Sequence, residues 1–361
     1  MSTGTVQLAW FGCDLRTGNI VEDLPSLKPS GALSRKLGTQ STLQFELSLA
    51  GARADWDAAT APGRSLLVAV DTATDTPIWA GAVLPRDGGS ASAVQLGAVT
   101  LEAYLDARYP GTQTLLATDQ ASVIAALAAP ALTNGPPLVI DAVATGTTMD
   151  YLTADGDDKT ILSCLTEVMG LDGGPEWTID VTWNAGHNGF QFPLRVRRQI
   201  GTQAADPEAV FDYPGCVAEY TLSESYEQGK GATRVIARGE GEGSSRLTST
   251  VEEATALIAA GWPVWEYRYT PATGITDPDQ LIAHASSSLA LMAQGAQVWT
   301  VQGVASKSPR VGTDWNLGDT VGISIGQSPR HPTGATTVAR CWAWELDAGA
   351  DRVRPILIEE S

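Results

Sequence analysis

The sequence predicts a mainly β protein with α+β inserts, and three observations carry that reading. Apolar residues alternate with polar ones in many short runs, the period of a strand with one buried face. Leu43, Phe45, Leu47 and Leu49 against Gln44, Glu46 and Ser48 form the clearest of these runs. The chain carries 37 glycines and 20 prolines, which punctuate the runs as turns and leave no room for a helical bundle. With 43% hydrophobic and 18% charged residues, its composition excludes a disordered chain. A length of 361 residues allows two to three domains.

From the N-terminus, Val6, Leu8 and Trp10 alternate as a strand, and Leu43–Leu49 follows. Leu66, Val68 and Val70 form a run closed by Asp71. Pro77 to Leu84 fits a strand that starts after a proline, and Val94 to Leu105 is read as a further strand after a Gly-Gly-Ser turn. Closely spaced strands of this kind suggest a closed or sandwiched antiparallel sheet. The character changes after Tyr109-Pro110. Asp119 is an N-cap candidate before Val123, Ile124 and Leu127 at helical spacing, and Pro130 ends that helix. Ile161, Leu162, Leu165, Val168 and Met169 mark a second amphipathic helix. The acidic Asp155, Asp157 and Asp158 precede it, and Gly170 stops it.

Strands return with Trp177, Ile179, Val181 and Trp183 alternating against Thr178, Asp180 and Thr182, then around Leu194–Arg198 and Thr233–Arg238. Thr250 and Glu253 read as a capping box before Leu257 and Ile258, with Gly261 closing the short helix. Asp277-Pro278 opens another helix, whose apolar stripe is Leu281, Ile282, Ala285, Leu289 and Met292. The last strands are expected at Val298–Val304, Thr320–Ile325, Val338–Leu346 and Val353–Ile358. The expected organisation is a β-rich part (1–109), a small α/β insert (110–174) and a second β-rich part (175–361) with a helical insertion around 250–295. The two β-rich parts are candidates for related domains, although no sequence repeat links them.

The charge balance, 23 basic against 41 acidic residues and a net −18, argues against a surface built to grip a phosphate backbone. No apolar run reaches eighteen residues, so no membrane span is expected. The start lacks a basic and then apolar leader, so no signal peptide is expected. Cys13, Cys164, Cys216 and Cys341 are widely separated and show no metal spacing. They read as small buried thiols, and His187, His284 and His331 each stand without a second ligand at metal spacing. No metal or cofactor is expected.

Two motifs fail on context. Gly322-Ile323-Ser324-Ile325-Gly326 matches the nucleophile elbow, but the apolar alternation runs straight through Ser324 and Gln-Ser-Pro-Arg-His-Pro follows where a helix is needed. Gly239–Gly243 resembles a phosphate loop, yet position 244 is Ser and two glutamates would repel phosphate. Asp155-Gly156-Asp157-Asp158 lacks the later glutamate of a calcium loop and reads as a solvated helix start. Paired carboxylates able to cleave a glycosidic bond leave no motif, so a cell-wall hydrolase stands as one alternative reading. A sugar- or receptor-binding module using exposed tryptophan stands as another. Trp177, Trp183, Trp299 and Trp344 fall on strand faces and are expected in the core. Trp262 and Trp265 flank Pro263 beyond a helix end and are candidate contact residues. Arg195 and Arg197 share one face of their strand, a solvated sheet face or a site for an inter-subunit ion pair. No catalytic residue is assigned.

Several segments together resemble the hub-type minor tail proteins at the tail tip or baseplate of long-tailed bacteriophages. They are Pro77–Pro85 (PIWAGAVLP), Val99–Pro110 (VTLEAYLDARYP), Lys159–Val181, and Trp315–Ile325 (WNLGDTVGISI) followed by Val338–Asp347 (VARCWAWELD). The sparse lysine and the Ala, Thr, Gly and Asp usage suit a phage of an actinobacterial host. The resemblance implies two tail-tube-like β-barrel or sandwich domains with smaller α/β domains. It also implies a structural virion protein rather than an enzyme, assembled in the host cytoplasm. Three copies with two similar domains each would present six similar surfaces to a hexameric tube ring. The partners it implies are two further copies in a homotrimer, the distal tail ring protein, other tip or fibre proteins and the tape-measure protein. DNA would pass through the lumen without sequence-specific binding. An acidic wall would then avoid holding phosphate, within a screening length of about 8–10 Å.

Overall fold

The computed structural model describes residues 6–171, 173–239, 243, 246–270 and 278–358. The fold is mainly β, as the alternation predicts. The chain divides into two compact units. One comprises Met1–Met169, Gly174–Glu219 and Val301–Ile356; the other comprises Gly170–Gly173, Tyr220–Thr300 and Leu357–Ser361.

The first unit opens with β1 (Leu8–Asp14), β2 (Ile20–Asp23), β3 (Leu27–Pro29), β4 (Leu33–Lys36), β5 (Thr42–Ser48), β6 (Ser65–Asp71), β7 (Thr76–Asp87) and β8 (Ala93–Thr100). All but β4 form one antiparallel sheet in the order β2-β1-β6-β7-β8-β5-β3. Leu43, Phe45 and Leu47 of β5 are buried while Thr42, Gln44 and Glu46 are exposed, as the period of two requires. Trp10 meets Phe45 and Trp79 edge-on on this sheet, and those two are tilted to each other, with ring centroids 5.1–6.2 Å apart. β6, between β1 and β7, is buried along its whole length, so both of its faces are covered. The strand expected to run to Leu105 ends at Thr100. A short helix, α2 (Glu102–Asp106), follows the one-turn helix α1 (Trp56–Ala59) in chain order and buries Glu102 and Leu105.

The covered face of β6 packs on the next segment. That segment contains β9 (Gln113–Asp119), α3 (Gln120–Ala128), β10 (Leu138–Ala142), β11 (Thr148–Thr153), α4 (Ile161–Met169), β12 (Glu176–Ile179), β13 (Thr182–Trp183) and β14 (Phe190–Arg197). Leu66, Val68 and Val70 share one core with Val123, Ile124 and Leu127 of α3, Ile161, Leu165 and Val168 of α4, and Trp177, Phe192 and Leu194. β10 and β12 flank β14, parallel and antiparallel respectively. The single strand expected from Trp177 to Trp183 is interrupted at Asp180-Val181. Pro193 lies opposite with no N–H to return, so Asp180 donates its own N–H to the Pro193 carbonyl and the ladder breaks there.

Asp119 caps α3 as its position suggests. Its carboxylate accepts from the N–H groups of Ala121 (2.9 Å), Thr145 (3.2 Å) and Gly146 (2.9 Å) and from the Thr145 hydroxyl (3.2 Å). Burial opposes its ionisation, but these donors outweigh that and hold the carboxyl below its ordinary value. A depressed folded-state value stabilises above the unfolded pKa and is lost as pH falls through the folded one. Asp119→Ala is therefore expected to cost about 1 kcal/mol at neutral pH. The variant should converge on wild type in acid below about pH 4, read by urea unfolding at a series of pH values.

The second seven-stranded sheet is built from β15 (Val210–Tyr213), β16 (Val217–Ser225), β20 (Ala296–Val304), β21 (Thr320–Ile325), β22 (Ala335–Asp347) and β23 (Arg352–Ile358), in the order β15-β21-β22-β23-β20-β16. Its seventh member is β4, which leaves the N-terminal sheet and pairs with β22, placing Arg35 opposite Trp344. β21 runs straight through Ser324, as the alternation indicates.

The chain leaves the first unit along β16 and returns along β20. Between them lie β17 (Arg234–Ala237), β18 (Glu252–Glu253), α5 (Thr255–Ala259), β19 (Glu266–Tyr269) and α6 (Pro278–Met292). In this second unit β17 lies between β18 and β19, and α6 packs on it through Leu281, Ala285 and Met292. The capping box expected from Thr250 and Glu253 is absent because Glu253 is in β18, where its carboxylate holds Arg234 at 2.7 Å; Ala254 occupies the cap position. The Asp277 cap and most of the Gly239–Gly243 loop fall outside the described residues.

Candidate functional site

The first unit brings together arginines and carboxylates from sequence segments far apart. Arg35, on β4, is 7% exposed. It donates to Asp180 Oδ1 at 3.1 Å, to the Thr178 hydroxyl at 2.9 Å and to the Ile179 carbonyl at 2.5 Å. Arg195, on β14, holds the other oxygen of Asp180 at 3.0 Å. Arg310, in the loop after β20, pairs with Asp71 at the end of β6, both only 2% exposed. Arg340, at the centre of β22, grips Glu176 with both terminal nitrogens and donates to the carbonyls of Gly318 (2.9 Å) and Ile200 (2.8 Å). The Glu176 carboxylate also accepts the Ile200 N–H at 2.7 Å.

These three junctions join the N-terminal sheet, the α/β segment and the second sheet. Each charge is paired and each guanidinium or carboxylate makes further hydrogen bonds where it lies deepest, the condition under which a buried ion pair is tolerated. Next to Arg35 lies Glu102, 2% exposed. Burial drives its carboxyl above the ordinary value, partly opposed by Arg35 and by hydrogen bonds involving Thr100 and Ile179. A raised folded-state value favours the fold below the unfolded pKa, and that benefit disappears as pH rises through the folded one. Glu102→Gln should therefore be at least as stable as wild type at neutral pH and lack the wild type's decline as pH rises out of the ordinary carboxylate range. Thermal unfolding of both proteins across pH measures this.

A cleft of about 340 Å³ opens beside this network, lined by Arg35, Asp75, Asp180, Trp183, Arg195 and Trp344 among others. A second, of about 460 Å³, shares Arg195 and Asn316 with it and adds Asp141, Arg197 and Asp319. The two carboxylates of the first cleft are already engaged. Asp180 is fixed between two guanidinium groups, and Asp75 pairs with His187 at 3.1 Å. A carboxylate whose two oxygens are each taken by an arginine is poorly placed to donate a proton or attack a sugar. His187 stacks on Trp183, centroids 4.0 Å apart, and the Trp183 indole donates to the Asp75 carbonyl at 2.9 Å. Among the described residues, no three His, Cys, Asp or Glu side chains converge as a metal site. All four cysteines are buried, and burial raises the thiols of Cys13 and Cys341 far above their ordinary value.

The residues singled out in the sequence fall in two places. Arg195 and Arg197 share a face of β14, and each is bound within its own chain, to Asp180 and to Asp141 (2.8 Å). Trp262 and Trp265 lie in the second unit, exposed and gathered around Tyr226. Trp177, Trp299 and Trp344 are buried as expected, and Trp183 is half-buried. Arg35, Arg310 and Arg340 were not anticipated. A signal was present: Arg340 interrupts the apolar run Val338–Trp344, and a guanidinium in such a run needs a buried partner.

No protein-family model and no curated protein sequence matches the chain. Solved structures do match it over nearly its whole length. The 43 kDa tail protein of prophage MuSo2 from Shewanella oneidensis aligns with a TM-score of 0.61 and 10% identity, covering 98% of both chains. The tail protein from Neisseria meningitidis MC58 aligns at 0.57 and 11% identity, covering 93% of this chain and 96% of its own. A chain of the PdpA–VgrG complex of Francisella aligns at 0.56 and 8% identity over 99% of this chain and 58% of its own. At such identities the likeness is one of fold. This chain has the fold of those two tail proteins.

Proposed function

We propose that this chain is a structural component of a phage tail: the trimeric hub that ends the tail tube and joins it to the tip. The observation that carries the reading is the end-to-end match, without large insertions on either side, to a prophage tail protein of different sequence. The network of buried arginines supports it, because a hub under load needs its two sheets to move as one body. The work is done by assembly rather than catalysis. Copies of the chain and the distal ring protein bury one another's surfaces, and the fibre or tip proteins and the tape-measure protein dock on the result. The likeness to a chain of a PdpA–VgrG complex supports partners of the tip class. DNA passes along the axis without specific contacts, in keeping with a net charge of −18. The chain is then a virion protein at the tail tip of a long-tailed phage with an actinobacterial host.

Leaving this chain out of tail assembly tests the reading. Tails that fail to form, or that lack their tip, are the expected product. Complete, tipped tails formed without it would refute the assignment.

A further inference from the structure

We infer that the strip Thr255–Trp265 of the second unit is a contact surface for a second copy of this chain. The inference rests on the assembly reading above and names one surface that assembly uses. The strip reads Thr-Ala-Leu-Ile-Ala-Ala-Gly-Trp-Pro-Val-Trp, with no charged residue and no side-chain amide, in a chain of net charge −18. Its helix α5 fully buries none of its side chains, and Leu257 and Ile258 are half-buried. Trp262 is 38% exposed, Val264 46% and Trp265 52%. Contiguous apolar surface of this kind marks an interaction site.

The surface is held in shape. Tyr226 lies 5.5 Å from Trp262 and 6.0 Å from Trp265, centroid to centroid, and its hydroxyl donates to the Ala293 carbonyl at 3.1 Å. Gly231 and Gly295 lie so close to the Tyr226 ring that a Cβ at either would come within 3 Å of it. Gly261, at φ 95°, turns the chain so that the Trp262 N–H reaches the Leu257 carbonyl at 3.0 Å. Two of the three carboxylates at the margins are paired with arginine, Glu253 with Arg234 at 2.7 Å and Glu266 with Arg234 and Arg268, while Glu252 accepts the Thr250 hydroxyl at 2.8 Å. The strip and its margins are thus close to charge-neutral.

That neutrality selects the occupant. Two copies at −18 repel wherever acidic surfaces meet and can approach closely only where charge is missing. A cationic partner would be drawn to the acidic surface elsewhere and would gain nothing from an uncharged strip. Interfaces between permanent partners are also the more apolar kind. A sugar fits poorly, because the tryptophan rings stand 58° and 64° from Tyr226 rather than forming one flat platform, and no side-chain amide is present to hydrogen-bond hydroxyls.

Sedimentation velocity over a concentration series, on wild type and on the double variant Trp262→Asp with Trp265→Asp, tests the surface. Wild type should self-associate, and the variant should do so at least about tenfold more weakly with unchanged thermal unfolding. Trp265→Cys gives a second reading. The four native cysteines are buried, so maleimide labelling reports the new thiol and should slow as concentration rises. Identical sedimentation of wild type and double variant overturns the inference. So does flotation of the wild type with phosphatidylcholine vesicles in the absence of self-association. Tails that incorporate the double variant normally would refute this surface while leaving the tail assignment intact.

Discussion

Arg340→Ala should destabilise the first unit by about 3–5 kcal/mol, the cost of leaving a buried carboxylate unpaired. Arg340 is 3% exposed, and its guanidinium satisfies both oxygens of Glu176 and two backbone carbonyls at once. Removing it leaves Glu176 with the Ile200 N–H and no counter-charge, and leaves the Gly318 and Ile200 carbonyls with only the Gln203 side chain. Glu176→Gln should cost less, because the amide keeps an oxygen for the guanidinium and gives up only the charge. The double variant Arg340→Met with Glu176→Leu should recover much of the loss, since a buried pair replaced by apolar groups of similar volume is often neutral. Urea unfolding of Arg340→Met, Glu176→Leu, their double variant and wild type forms a double-mutant cycle that isolates the pair. A single-variant loss below about 1 kcal/mol would place the pair in the weak class of solvent-exposed bridges.

A comparable loss, about 2–5 kcal/mol, should follow from alanine at Gly318 or Gly201. Both lie at positive φ, 84° and 86°, where an L side chain costs about 1–2 kcal/mol. The two chains also cross there. A Cβ at Gly201 would overlap the backbone of Gly318 and Asp319, and one at Gly318 the backbone of Ile200. Backbone cannot rotate away as a side chain can, so overpacking adds to the dihedral cost. The crossing lies beside the Arg340 junction, so the alanine variants should also weaken the Arg340–Glu176 coupling in the cycle above. The Leu-Gly-Asp-Thr-Val turn, conspicuous in the sequence, thus has a physical role: its glycine lets the second sheet close onto the loop after β14.

Much of the architecture was legible in the sequence. The strand Thr320–Ile325 and the helix Ile161–Met169 follow directly from periodicities of 2 and 3.6, and the Asp119 cap from side-chain chemistry. The failures have specific causes. The strand expected through Leu105 turns into a helix at Glu102, where tertiary burial of Glu102 and Leu105 prevails over strand periodicity. The Trp177–Trp183 strand breaks at a proline on its partner, which a one-strand pattern cannot reveal. The capping box fails because Glu253 lies in a strand and is claimed by Arg234 of the neighbouring β17. The exposed Trp262 and Trp265 could be read from their position beside Pro263. Arg340's need for a buried partner could be read from the apolar run it interrupts, but the identity of the partners could not, because they lie up to 239 residues distant.

The central claim is that this chain is a building block of a tail, used through its surfaces. A cryo-electron microscopy reconstruction of an assembled particle tests it most directly. Three copies around the axis at the distal end of the tube, each with Trp262 and Trp265 buried against a neighbouring copy, is the predicted result. A particle whose tail contains no density for this fold, or a lone copy away from the axis with a sugar in the Arg35–Asp180–Arg195 cleft, would contradict it.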